Sequence, residues 1–138
     1  MKRVLSLICV LALALSCLFV LASCGAPNSD PDKALDALKE NGITWAGKDT
    51  KVIPGLLKIA GVDDVECVVS GTGEIDGEYA HITIIYFEDA DAASEEWEDV
   101  QDYAEDNKDD KAEESNWVCK KSGKMIYYGT KEAIKAAK

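Results

Sequence analysis

Histidine is scarce in this sequence: of 138 residues, only His81 carries an imidazole. A Ser-His-Asp or Cys-His mechanism would have to run through that one residue, and a tetrahedral zinc site would lack its usual donors. No Cys-x-x-C, His-Glu-x-x-His or nucleophile-elbow run is present, so no local motif supplies a redox pair, a zinc helix or an activated serine. Basic residues are also the minority, with 15 Lys and Arg against 26 Asp and Glu and a formal charge of −11. That balance repels phosphate. Nucleic acid is therefore not an expected partner, and broad adhesion to an anionic bilayer is disfavoured. Asp106, Asn107, Asp109 and Asp110 cluster oxygen ligands, but Lys108 and Lys111 intrude and the glycine and distal glutamate of an EF-hand loop are missing. Gly71-Thr72-Gly73 lacks the third glycine and following helix of a dinucleotide site and reads as a turn. No metal and no cofactor is expected.

One long apolar stretch stands out instead. Lys2 and Arg3 precede Val4 to Val20, all apolar or small, and the run ends in Leu21-Ala22-Ser23-Cys24. This resembles the lipobox of bacterial lipoproteins with a type II signal peptide, and the rest resembles small bacterial lipoproteins of uncharacterised role. The resemblance implies that residues 1–23 are removed, that Cys24 carries a diacylglycerol as the lipid-attachment residue, and that the protein is held on the extracytoplasmic face of a membrane. In a Gram-negative source that membrane can be the outer one. Two acyl chains, at about 0.8 kcal/mol per buried methylene, suffice for stable anchoring. Cys17, after Ala14-Leu15-Ser16, is a competing acceptor that fits the pattern less well. Retention of residues 4–23 as a spanning helix is the alternative, since about 20 apolar residues cross a bilayer.

The remainder is the size of one domain. Residues 24–29 form a short tether and 30–138 a single globular unit. Asp30 and Pro31 open a helix closed by Asn41-Gly42. A short strand over 43–46 holds Trp45, and a helix covers 54–61. Residues 65–72 and 79–87 are β-branched and aromatic and predict an antiparallel hairpin. Asp89 caps a helix whose Ala93, Trp97, Val100 and Ala104 make one apolar stripe. Residues 117–121 and 124–129 flank Ser122-Gly123 as a second hairpin, and Thr130 caps a final helix. This order predicts an α+β fold with the ferredoxin-like, split βαβ arrangement, helices on one face of an antiparallel sheet, plus an extra C-terminal strand and helix. Charge divides unevenly: residues 88–114 hold 14 acids and two lysines, whereas 117–138 hold six lysines and one glutamate. The acidic helix and the basic tail can face each other, the helix being a solvated face complemented by nearby lysines rather than an acidic docking surface for a cationic partner.

Two cysteines remain beside Cys24. An exported pair invites a disulfide, but Cys67 and Cys119 fall on strands placed at opposite sheet edges, which favours two free thiols. Along 79–87, alternation sends Ala80, Ile82, Ile84 and Tyr86 toward the helices and leaves Tyr79, His81, Thr83, Ile85 and Phe87 on the open face. Tyr79, His81, Thr83 and Phe87 are the candidate interaction surface. The function expected is therefore non-enzymatic: an anchored domain that contacts an envelope protein or a second copy of itself, with membrane lipid bound through Cys24. A ligand-binding or sensory accessory domain, with a pocket near His81 and Tyr86, is the second reading. A hydrolase ranks last, because no catalytic pair stands out.

Overall fold

The computed structural model describes residues 25–106, 108 and 116–138. Cys24, Cys17, the apolar run, Asn107, Asp109 and Asp110 lie outside them. Asp30 opens the first helix, α1 (Pro31–Glu40), where its carboxylate accepts the Asp32 and Lys33 N–H groups at 2.9 and 3.4 Å and Pro31 sits at the first turn. At its far end the Asn41 side chain donates to the carbonyls of Ala37 and Ala136, 2.8 and 3.1 Å away, tying α1 to the C-terminal helix. Strand β1 (Trp45–Asp49) follows, and the Asp49 carboxylate accepts the Lys51 and Val52 N–H groups to start α2 (Val52–Ile59). Those donors, Lys51 N–H foremost, hold Asp49 below the usual carboxylate range.

The central hairpin is longer than expected: Gly71-Thr72-Gly73, read as a turn, lies within the strand and pairs with Ala80 to Ile82. Strands β2 (Val65–Ile75) and β3 (Glu78–Phe87) run into a two-residue turn in which Asp76 and Gly77 both have positive φ, 54° and 81°. That geometry matches the twist of the flanking strands. The acidic segment is not one helix but two, α3 (Ala90–Glu95) and α4 (Trp97–Asp106), parted at Glu96. Strands β4 (Trp117–Ser122) and β5 (Met125–Thr130) make the second hairpin, and α5 (Lys131–Ala136) ends the chain. Thr130 occupies the cap position of α5 without capping it; its hydroxyl accepts the His81 N–H at 3.2 Å instead. Among the described residues no helix is long and apolar enough to cross a membrane.

All five strands pair antiparallel in the order β1-β2-β3-β5-β4. The fold is α+β, but the strand order is not a simple split βαβ. The extra strand β5 is inserted beside β3 rather than appended, and β1 sits at an edge against β2. Helices also cover both faces, not one. Ala34 and Leu38 of α1 and Ala133, Ile134 and Ala136 of α5 pack on Cys67, Val69, Ile82, Ile84 and Tyr86. Leu57 of α2, Ala92 and Ala93 of α3 and Val100 and Ala104 of α4 pack on Val68, Ile85, Phe87, Ile126 and Tyr128. The run Ile82 to Phe87 is consequently buried without a break, as in a strand covered on two sides. The expected apolar stripe survives through both helices, with Trp97 half-buried beside Ala93, Val100 and Ala104. It lies across the sheet from α5, however, so the acidic helices and the C-terminal helix do not face each other.

The N-terminal segment expected as a tether is laid into the fold. Ala26 packs against the core, Asn28 N–H donates to the Ala137 carbonyl at 2.8 Å, and the Tyr86 hydroxyl donates to the Asn28 carbonyl at 2.8 Å.

Cys67 and Cys119 are free thiols, but not because both lie on edge strands: β4 is an edge, whereas β2 is flanked by β1. Cys67 faces α1 and α5 while Cys119 faces the opposite layer, and β3 and β5 run between their strands. At about 4.8 Å per strand, no rotamer closes that gap. Thiol titration of denatured, unreduced protein lacking Cys24 should count two reactive groups from these positions; a count of zero would contradict the strand order.

Candidate interaction surface

The alternation expected along β3 is present, yet its outward set is divided by the helices on the second face. Phe87 is fully buried and Thr83 only 8% exposed, because α3 and α4 cover that end of the strand. They are core residues, which corrects their assignment to an interaction face. Tyr79 and His81, further along, are half-buried. His81 stacks on Trp117, ring centroids 5.8 Å apart and planes 9° from parallel, and Trp117 leans on Tyr128. The register places Trp45 opposite Thr72, Thr72 opposite His81, and Trp117 opposite Thr130, so one transverse row carries Trp45, Thr72, His81, Thr130 and Trp117. Trp45 ends the row at the β1 edge, 81% exposed.

The most apolar exposed surface lies elsewhere, on α2. Val52, Leu56 and Ile59 are 66%, 55% and 86% exposed, and their spacing of four and three residues sets them on one side of the helix. Ile53 and Leu57 occupy the side that packs on the sheet. Lys51, at the cap position, and Lys58 are exposed and border the stripe on one side with positive charge. A surface helix ordinarily puts polar residues on its outer side, so this one carries more apolar surface than the fold consumes. The signal was in the sequence: Val-Ile-Pro-Gly-Leu-Leu-Lys-Ile has apolar residues on two sides of one short helix. Nothing in that pattern says which side docks.

Burial holds both free thiols in their neutral form. Burial pushes the Cys119 thiol up to about 11 and raises that of Cys67, so thiolate is scarce at neutral pH at both. Burial also pushes the Tyr128 phenol from 10 up to about 12 and raises Tyr86 and Tyr127. A folded-state pKa above the unfolded one contributes stability that is complete below the unfolded value and is lost as pH rises through the folded value. Denaturant stability should therefore decline between pH 10 and 12, with phenolate absorbance from these residues appearing only as the protein unfolds. Normal titration of all five tyrosines in folded protein would contradict their burial.

Among the described residues no group of three His, Cys, Asp or Glu is arranged to hold a metal ion. A cleft of about 510 Å³ lies between α2 and the start of β2, lined by Pro54, Gly55, Lys58, Asp63, Asp64 and Glu88 among others. Neither His81 nor Tyr86 lines it, and the Tyr86 hydroxyl is already bonded to Asn28. No protein family, no curated protein and no solved structure matches this chain.

Proposed function

We propose that this chain is a membrane-anchored, extracytoplasmic bacterial lipoprotein, held by lipid on Cys24, whose folded domain is a non-enzymatic protein-contact module. The observation that carries the reading is the outward stripe of Val52, Leu56 and Ile59 on α2. Leaving three large aliphatic side chains in water forgoes about 1.5 to 3 kcal/mol each, which a partner recovers on covering them. The occupant is an envelope protein that offers an apolar patch bordered by carboxylates, because Lys51 and Lys58 border the stripe on one side. Orientation supports a protein over the bilayer. The chain leaves toward Cys24 at Gly25, on the sheet face covered by α1 and α5, whereas α2 lies on the other face.

A photoreactive residue at Leu56 in intact envelopes is expected to give one discrete protein adduct. Changing Lys51 and Lys58 together to Glu should cut its yield roughly tenfold, equivalent to about 1.4 kcal/mol. Thermal stability should stay within about 0.5 kcal/mol, since these side chains are exposed. An adduct of twice the chain mass would replace the envelope partner by a second copy, and adducts with lipid alone would turn the stripe toward the bilayer.

A further inference from the structure

The six lysines that follow Trp117 do not act as one basic tail; the fold sorts them. Lys121 donates to the Ser94 hydroxyl of α3 at 2.7 Å, and Lys124 pairs with Glu66 at 3.8 Å. The other four converge. Lys120 of β4 and Lys131, Lys135 and Lys138, on and just beyond α5, line one open cleft of about 210 Å³ together with Val118, Tyr127, Ile134 and Gly25. All four are exposed, and none has an ion-pair partner among the described residues. The one acid of the helix, Glu132, is half-buried and accepts a hydrogen bond from the Asn116 side chain at 2.9 Å. Asn116 foremost, then Lys135 and Lys131, lower its pKa, so it remains charged and offsets part of the cluster.

Gly25 belongs to this same cleft, and it is the residue bonded to Cys24. Ala26 is already packed on the core, so the chain that continues to Cys24 leaves the described domain at this cleft. We propose that the Lys120, Lys131, Lys135 and Lys138 cluster is a docking surface for anionic phospholipid headgroups, which seats the domain in one orientation at its anchor. The inference rests on the reading of Cys24 as the lipid-bearing residue. Net charge does not oppose it. The acids of α3 and α4 lie across the sheet, two layers away, and exposed charges separated by more than about 10 Å are largely screened at 0.1 M salt. The same face also carries the exposed Asp36 and Glu40 of α1, so it is the lysine cluster locally that meets headgroup phosphate, while the acids of α3 and α4 are turned to solution. This orientation also leaves the α2 stripe facing away from the bilayer.

The test uses the mature chain extracted from its membrane. It is reconstituted into vesicles of phosphatidylcholine alone, or with a third of the lipid replaced by phosphatidylglycerol. Lysines are trace-acetylated with a water-soluble reagent and each site is read by peptide mass. Lys120, Lys131, Lys135 and Lys138 should react roughly tenfold more slowly on the anionic vesicles, while Lys51 and Lys58 on the other face stay unchanged. In 1 M salt, where the screening length is about 3 Å, the difference should vanish. Equal rates on both lipids, or protection found only in native envelopes, would overturn the proposal; the latter would give the cluster to a protein. The N-terminal peptide from the same digest separates the two readings. Lipid on Cys24 with equal rates removes the lysine surface and keeps the anchor. An unmodified chain protected only on anionic vesicles removes the anchor and keeps the surface.

Discussion

Gly129→Ala is expected to move the unfolding midpoint far below that of the wild type. Gly129 is flanked on both sides, by Ile82 of β3 and Val118 of β4, and its φ is 148°. A Cβ placed there would collide with the His81 carbonyl oxygen and lie 2.8 Å from the Ile82 Cα. Both obstacles are backbone of the central strand, which is hydrogen-bonded to β2 on its other side and covered by helices on both faces. Neither a rotamer change nor a small shift of one strand relieves the contact. The cost should exceed about 4 kcal/mol, against a typical total stability of about 5 to 15 kcal/mol. Gly123→Ala is the control. It also has positive φ, 58°, but its Cβ meets nothing within 4 Å, so only the backbone preference of about 1 to 2 kcal/mol is lost. Circular dichroism in a denaturant series compares the two. A Gly129→Ala protein melting near the wild-type midpoint would mean that β5 does not lie between β3 and β4.

Phe87→Ala should cost about 3 to 5 kcal/mol, because it removes a fully buried ring from the layer between the sheet and α3 and α4. Ile59→Ala, at a residue 86% exposed, should change stability by less than about 0.5 kcal/mol. The contrast decides between two surfaces. If Phe87 belonged to a contact face, its removal would leave the melt intact and weaken association. If α2 carries the contacts, Ile59→Ala should spare the melt and lower the Leu56 adduct yield. Equal denaturant midpoints for the two variants would place α3 and α4 somewhere other than over β3.

Local chemistry was legible where one residue acts on its neighbours. Asp30 with Pro31 starts α1 as expected; the hairpin itself was legible, but the tight Asp76-Gly77 turn, whose positive φ Asp and Gly tolerate, is narrower than the gap expected between residues 72 and 79. Thr130 shows the limit of such reading. Its position at the head of α5 is that of a cap, yet the hydroxyl is bonded to His81, a residue 49 positions away that only strand pairing brings close. The break at Glu96 likewise escaped a pattern in which Ala93, Trp97, Val100 and Ala104 keep helical spacing through it.

Sequence alone determined that five strands form and which segments are helical, the start of α1 at Asp30-Pro31, the alternation along β3 and the surplus of apolar residues in α2, because each depends on contacts within a few residues. Only tertiary structure decided that β5 lies between β3 and β4, that Phe87 and Thr83 are covered, and that Val52, Leu56 and Ile59 are not. It also decided which four lysines gather around Gly25. Alternation assigns Ile84 and Ile85 to opposite faces but treats both as apolar, so it cannot say whether one face or two will be covered. That outcome depends on which strands pair and where each connecting helix can pack, a competition among contacts far apart in the chain.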